Sequence, residues 1–141
     1  MTPQEYLAAG DTLVVVRDGA AVYHIAGRGI APALSLFDEH PELLAGAEVY
    51  DTIVGKAAAA IYQQAGVRSV HAGTMSRAAQ ELLTAHGIEA SCEVCAEALI
   101  NRAGTGLCPF EQAVLSIREP ADCLPVIRET LRILRAAARP E

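Results

Sequence analysis

The sequence contains no tryptophan, few aromatic residues and a single lysine. Aromatic residues make up 4% of the 141 residues, so a surface of stacking platforms for nucleic-acid bases is not expected. The formal net charge is −6, which argues against binding to a phosphate backbone. We therefore expect no nucleic-acid partner. The single lysine, Lys56, becomes informative below because of its position.

Long hydrophobic runs are also missing from the sequence. No apolar stretch reaches the ~18–20 residues that a membrane-spanning helix needs. The first residues, Met1 to Tyr6, lack the basic and apolar regions of a secretory signal. We therefore expect a cytoplasmic protein with no membrane partner. In that compartment its cysteines stay reduced, and they are candidate thiols, metal ligands or nucleophiles before they are candidate disulfides.

Composition and length predict one folded domain. Apolar residues make up 52% of the chain and charged residues 20%, as in a globular protein. The whole chain, 1–141, is expected to be a single domain with its core at about 11–135. No internal repeat, low-complexity tract or linker interrupts it.

Hydrophobic periodicity and turn residues predict alternating strands and helices. The Asp18-Gly19 pair is a strong hairpin signal, because both residues tolerate positive φ. The segment Glu93–Asn101 is ambiguous, with helix favoured over strand. The predicted strands are Thr12–Arg17, Ala20–Ala26, Ala47–Tyr50, Val67–Ala72 and Ile88–Ser91. The predicted helices are Pro3–Ala9, Ile30–Glu39, Val54–Ala65, Arg77–His86, Glu93–Asn101, Pro109–Ile117 and Pro120–Ala138. This order predicts an α/β fold in which helices cover a mixed sheet that opens with a β-hairpin.

The first candidate site is the junction of a strand and a helix at Asp51, Thr52, Gly55 and Lys56. A lysine in the first helical turn opposes the helix dipole, so its presence there suggests a nearby anion such as a phosphate or carboxylate. Gly55 lets a ligand approach the backbone. The alternative is a solvated lysine, or one paired with Asp51. A P-loop is excluded, because the required Gly-Lys-Ser/Thr pattern is absent.

The second candidate site is a glycine-bearing loop before the Pro109 helix. Its backbone N–H groups can turn toward an anion, an arginine adds further donors, and a cysteine near the helix start is a candidate nucleophile. The alternative is a tight turn followed by a cysteine that acts as a small hydrophobic residue. The candidate residues are Asn101, Arg102, Gly104, Thr105, Gly106 and Cys108. A nucleophilic Cys108 needs a base, and only the fold can decide whether His71 or His24 lies near it.

The third candidate is the pair Cys92 and Cys95. A Cys-x-x-Cys motif can bind zinc or cycle as a dithiol, but a structural zinc site needs four ligands and a second such pair is missing. Ordinary thiols are the favoured interpretation, with a zinc or redox module as the alternative.

Three stretches together resemble a known family. They are Val54-Gly55-Lys56-Ala57-Ala58-Ala59, the strand Gly66–His71, and above all Ile100-Asn101-Arg102-x-Gly-Thr-Gly-Leu-Cys108-Pro109-x-Glu111-x-Ala113-Val114. They resemble an uncharacterised bacterial and archaeal domain-of-unknown-function family that is placed in the cytidine-deaminase-like superfamily. The resemblance covers about residues 11–135.

This resemblance implies a three-layer α/β/α sandwich around a mixed five-stranded sheet. It also implies that the deaminase zinc site is lost. In zinc deaminases the first metal-binding motif falls at about Gly55, Lys56 and Ala57, and the second falls at the stretch from Thr74 to Ala78, where neither motif is present. The chain is therefore not expected to be a working zinc deaminase, and no cofactor is expected.

We predict a protein that binds a nucleotide-like or phosphorylated small molecule in a degenerate, zinc-free deaminase pocket. On this prediction, Lys56→Ala weakens nucleotide binding by about tenfold or more. The first alternative is a thiol enzyme with Cys108 as its nucleophile, and the second is the zinc or redox module at Cys92 and Cys95. Whether any reaction is catalysed stays open. The apolar face of the last helix is a candidate homodimer surface, with burial in the protein's own core as the favoured alternative.

Overall fold

A computed structural model describes residues 1–101, 104 and 106–138 of the chain. Its sheet opens with the predicted hairpin of β1 (Leu13–Arg17) and β2 (Ala20–Ile25). Asp18 and Gly19 form the turn with φ angles of 52° and 78°, so the left-handed conformations that the Asp-Gly signal predicts are present.

The rest of the described chain alternates helices with parallel strands. The remaining strands are β3 (Glu48–Val54), β4 (Ser69–Ser76) and β5 (Glu89–Ala96). The helices are α1 (Pro3–Ala8), α2 (Ala31–Glu39), α3 (Pro41–Leu44), α4 (Lys56–Ala65), α5 (Arg77–Ala85), α6 (Pro109–Val114) and α7 (Pro120–Ala138). The strand order is β2-β1-β3-β4-β5, with β1 antiparallel to both neighbours and β3, β4 and β5 parallel. The predicted mixed five-stranded sheet of the α/β class is therefore confirmed.

Helix α4 lies at the centre of the molecule. Its residues Ala57 to Ala60 are at most 9% exposed, and Ile61 and Tyr62 are fully buried. The sheet lies on one side of α4, and α2, α5, α6 and α7 contact its other sides. The run of alanines allows this, because small side chains let neighbouring elements approach closely. The helix ends at Gly66, which adopts φ 76°.

The two faces of the sheet are covered unequally. α4 and α5 pack together because they connect consecutive parallel strands in one direction, and α7 packs against α4. The opposite face carries the six-residue α1, whose Tyr6 ring stacks on His24 of β2. The second helical layer of the predicted sandwich is therefore represented by α1 alone among the described residues.

Several predicted boundaries were wrong. Residues Glu93–Ala96 were predicted as the start of a helix, but they continue β5, because they pair in parallel register with β4 from Ala72↔Cys92 to Ser76↔Ala96. Pairing with a neighbouring strand overrides local helix propensity here. β3 and β4 likewise extend beyond the predicted ends, and α6 ends at Val114 rather than near Ile117.

None of the helices in the described part of the chain combines the length and hydrophobicity that a bilayer span requires.

Candidate functional site

A cavity of about 500 Å³ opens at the carboxyl ends of β3 and β4. Open α/β sheets bind ligands in the crevice outside the carboxyl ends of their strands. The cavity walls come from the start of β1, the turn before α2, the start of α4 and the segment that leads into α6. Most of its lining is apolar: Leu13, Ile30, Pro32, Ala33, Ile53, Ala57, Ala58, Leu99, Ile100 and Phe110. A few polar groups join this apolar wall, as in typical small-molecule sites.

Asp51 is one of these polar groups. Tyr62 of α4 donates its hydroxyl to Asp51 Oδ2 at 2.5 Å, while Oδ1 receives a long 3.4 Å contact from the Ile53 amide. Burial raises the pKa of Asp51 to about 6, and the bond from Tyr62 opposes that rise. Burial, together with the Asp51 carboxylate, raises the pKa of Tyr62 well above its ordinary value, so Tyr62 stays a donor. Asp51 therefore brings a buried carboxyl group to the cavity wall, where it accepts hydrogen bonds from Tyr62 and from the Thr52 and Ile53 amides.

Arg28 brings a cation to the same cavity. It lies in the segment Gly27-Arg28-Gly29, which connects β2 to α2. The Thr12 hydroxyl fixes this turn, because it donates to the Gly27 carbonyl at 2.8 Å and accepts the Gly27 amide at 3.0 Å. Gly29 has φ 64°, so the turn needs a residue that tolerates the left-handed region.

The N-terminus of α4 holds an anion from the chain itself. The buried carboxylate of Glu111, in the first turn of α6, accepts the backbone amides of Lys56 at 2.7 Å and Ala57 at 3.0 Å. Gly55 makes this possible, because a Cβ at that position would lie 2.5 Å from the Glu111 carboxyl group and 2.6 Å from Leu99. The sequence pattern indicated an anion at this helix end, but the anion observed there is Glu111.

The Lys56 ammonium points away from the cavity. It donates to the carbonyl of Ile117 at 2.5 Å and to that of Leu115 at 3.3 Å, just beyond the end of α6. Lys56 is not among the residues that line the cavity, whereas Asp51, Thr52 and Gly55 are. Direct contact between Lys56 and a ligand stays a prediction.

The predicted glycine loop contributes one described residue to the cavity, Cys108. Asn101, Gly104 and Gly106 do not line it, and the loop hydrogen-bonds within itself through Asn101 N to Gly106 O and Gly104 N to Asn101 O. The predicted site residues Arg102 and Thr105 lie outside the described residues.

The two histidines considered as bases for Cys108 lie elsewhere. His24 pairs with Asp11 at 2.8 Å beneath α1, and His71 lies on the same sheet face as His24. Among the described residues, the cavity lining contains no histidine. The nucleophile role of Cys108 stays a prediction.

The Cys92 and Cys95 thiols lie on the strand β5. Cys92 packs against the core, and burial followed by the neighbouring Cys95 raises its pKa, which disfavours the thiolate. Cys95 donates to Gln80 Oε1 at 3.5 Å. In the described chain, no group of three or more His, Cys, Asp and Glu side chains is placed to hold a metal ion.

Sequence reasoning missed three groups that shape this site: Arg28, Tyr62 and the capping role of Glu111. Glu111 lies 55 residues from the amide it caps, so no local pattern links the two. Tyr62, the buried partner of Asp51, lies in an alanine-rich helix, and nothing in the sequence of that helix indicates a contact with Asp51. The two glycines that flank Arg28 could have indicated this part of the site, because glycines on both sides of an arginine are typical of a tight turn.

These features define an α/β protein with a mixed five-stranded sheet and a cavity at the carboxyl ends of its parallel strands. Residues 3–131 match the family described as "TM1506: Domain of unknown function (DUF1893)", and the chain belongs to this family. The crystal structure of a DUF1893 family protein from Thermotoga maritima is similar, with a TM-score of 0.79 and 26% sequence identity. The match covers 92% of this chain and 84% of that one. No curated protein matches the chain.

Proposed function

We propose that this protein binds a nucleotide-like small molecule in the cavity at the carboxyl ends of β3 and β4. The observation that carries the proposal is that Asp51 and Arg28 both line one largely apolar cavity of about 500 Å³. A planar heterocycle suits the apolar wall, and Asp51 Oδ1 accepts its N–H donors. Arg28 pairs with a phosphate or carboxylate at the exposed side, since its guanidinium suits both groups.

The proposal keeps the cytidine-deaminase-like descent that the sequence suggests, with the metal chemistry absent. Of the predicted ligand residues, Asp51, Thr52 and Gly55 line the cavity. Cys108, the predicted nucleophile, forms part of its wall. Lys56 and Glu111 support the site indirectly by joining α4 to α6. Asn101, Gly104 and Gly106 follow the cavity wall at Ile100 and stay predicted ligand residues, as do Arg102 and Thr105, which lie outside the described residues. We also propose that the protein is cytoplasmic.

The first measurement is native and denatured mass spectrometry of the freshly purified protein, together with elemental analysis for zinc. A retained mass of nucleotide size without zinc supports the proposal and identifies the ligand. Stoichiometric zinc without an organic ligand contradicts it and directs attention to Cys92 and Cys95.

Titration calorimetry with a panel of nucleoside monophosphates and the matching nucleosides then tests the two anchors. Arg28→Ala is expected to weaken the best nucleotide by about tenfold or more, on the scale of a charge-assisted hydrogen bond, and to leave the nucleoside unchanged. Asp51→Asn is expected to weaken both compounds. Arg118→Ala is the matched control, because Arg118 is exposed and does not line the cavity. Equal losses for Arg28→Ala and Arg118→Ala, or no binding by the panel at millimolar concentration, refute the proposal.

The predicted homodimer is a separate proposal. Ile133 and Leu134 of α7 are 52% and 37% exposed, which leaves apolar surface for a second copy. Light scattering of the native protein and of an Ile133→Glu variant tests it, and a monomeric native protein at micromolar concentration refutes it.

A further inference from the structure

A second groove lies on the opposite face of the sheet. Its volume is about 530 Å³, and it runs over β3, β4 and β5 beside the wall formed by α1. It adjoins the first cavity at Asp51 and Thr52, where β3 separates the two. Apart from Asp51 and Thr52, no described residue of the proposed nucleotide site lines this groove.

Three side chains from adjacent strands form a row across the groove. Tyr50 pairs in register with His71, and His71 pairs with Ser91. The Tyr50 and His71 rings stack with centroids 4.7 Å apart, and Ser91 Oγ lies 2.5 Å from His71 Nδ1. A serine hydroxyl within hydrogen-bond distance of an imidazole is the arrangement of an activated nucleophile and its base.

The second imidazole nitrogen is also engaged. His71 Nε2 lies 3.2 Å from the hydroxyl of Ser69, which is buried on the same strand. In the tautomer that donates Nε2–H to Ser69, Nδ1 accepts the Ser91 proton. Ser69 thus orients the base, while the stacked Tyr50 ring fixes the imidazole plane.

Gly73 lines the groove next to this pair. It follows His71 by two residues and therefore faces the same side of the sheet. A Cβ at Gly73 would lie 2.8 Å from the Thr52 carbonyl oxygen, so the close approach of β3 and β4 at this point requires glycine. Thr52 and Gln4 also line the groove and carry hydrogen-bond donors.

The charges around the groove disfavour an anionic substrate. Glu93 lines the groove, and Tyr50 lies near Glu48 and Glu89. Leu7 and Ala8 of α1 form an apolar wall beside the serine and histidine. A neutral molecule with an apolar part fits these surroundings better than a phosphate ester does.

We propose that Ser91 is a nucleophile, with His71 as its general base, in a site for neutral carboxylic esters. Ser91 Oγ forms a bond to the acyl carbon, and the bond from that carbon to the leaving oxygen breaks. The serine proton passes to His71 Nδ1 and then to the leaving alkoxide. Water next attacks the acyl carbon and gives a proton to His71. The bond from the acyl carbon to Ser91 Oγ then breaks, His71 returns that proton to Oγ, and the carboxylic acid leaves.

Labelling with a neutral fluorophosphonate tests this site in the native protein. We expect one phosphonyl group per chain, located on Ser91 by peptide mass spectrometry. Ser91→Ala is expected to abolish it, and His71→Gln to slow labelling by about a hundredfold or more. Hydrolysis of p-nitrophenyl acetate is expected to fall in parallel in both variants.

Ser35→Ala and His40→Ala are the matched controls, because both residues are exposed and neither lines the groove. Circular dichroism and thermal unfolding confirm that each variant folds. No label on the native protein, label spread over other serines, or label retained by Ser91→Ala overturns the proposal. The native-protein result decides the question even if a variant fails to fold.

Discussion

Glu111 and Lys56 connect α4 and α6 through both of their charged groups. The Glu111 carboxylate accepts the first amides of α4, and the Lys56 ammonium donates to carbonyls just past the end of α6. Each charge lies at the helix end whose partial charge it opposes, so both interactions follow the helix dipole. One wall of the ligand cavity depends on this exchange.

Replacing Glu111 by glutamine is expected to destabilise the fold. Glutamine keeps one acceptor oxygen but presents an NH₂ group to the second amide, which leaves a buried donor without a partner. We expect the free energy of unfolding to fall by about 1–3 kcal/mol in urea denaturation. Glu81→Gln is the control, since Glu81 is exposed on α5. Equal stabilities for the two variants would show that the cap contributes little.

Gly55→Ala tests the same contact from the other side. The new Cβ would overlap the Glu111 carboxyl group and Leu99 Cδ1, both within 2.6 Å, so Glu111 must leave its position. We expect a loss of about 1–3 kcal/mol in urea denaturation. Gly106→Ala is the matched control, because a Cβ there meets nothing within 4 Å. A similarly small effect at both glycines would contradict the packing described for Gly55.

Asp51→Asn is expected to change how stability depends on pH. The folded-state pKa of Asp51 is about 6, above its ordinary value, so the folded state binds the proton more tightly than the unfolded state. The stability that this preference supplies is present at low pH and lost as pH rises through about 6. Asparagine carries no such penalty, so the variant should gain up to about 3 kcal/mol relative to wild type between pH 4 and pH 7.5. Urea titrations at both pH values measure this.

The control for Asp51 is again Glu81→Gln, measured at the same two pH values, because Glu81 is exposed on α5. A pH-independent difference for Asp51→Asn would mean that the carboxyl titrates normally in the folded protein.

Local signals predicted those parts of the fold that local chemistry determines. The Asp18-Gly19 turn, the start of α5 at Arg77 and the end of α4 at Ala65 all appear where the sequence indicated them. The second half of β5 was missed because its extended conformation comes from pairing with β4. No pattern within the Glu93–Asn101 segment reports that pairing.

In the candidate site, too, local features could be predicted from the sequence, whereas contacts between distant segments could not. The sequence located the junction at Gly55 and Lys56 and indicated an anion there, because lone helix N-termini attract negative charge. The identity of that anion, Glu111, follows from the packing of α6 on α4 and could not be predicted from spacing. Likewise, the Ser91–His71 pair exists only because β4 and β5 align in this register.

The ion pair between Asp38 and Arg128 joins α2 to α7 at the surface. Two bonds of 2.6 Å connect the guanidinium to the carboxylate, and this arrangement lowers the pKa of Asp38. Because both side chains are more than 40% exposed, we expect a coupling energy of at most about 1 kcal/mol in a double-mutant cycle with Asp38→Asn and Arg128→Gln.

This coupling should decrease in 1 M salt, and it should be lost as pH falls below the ordinary aspartate pKa of about 3.9. The lowered pKa of Asp38 means that the stabilising form is the ionised one. A coupling energy that changes with neither salt concentration nor pH would show that packing of the side-chain stems, rather than charge, joins the helices.

Lys56→Met separates a structural role of the lysine from a ligand-binding role. Methionine keeps the apolar stem but removes the donor to the carbonyls of Leu115 and Ile117. We expect the free energy of unfolding to fall by about 0.5–1.5 kcal/mol, as for the loss of an ordinary hydrogen bond. Lys56→Arg, which retains a cation, should recover part of this loss. Unchanged stability combined with a tenfold loss of nucleotide affinity would instead establish Lys56 as the ligand anchor that its position in the sequence suggests.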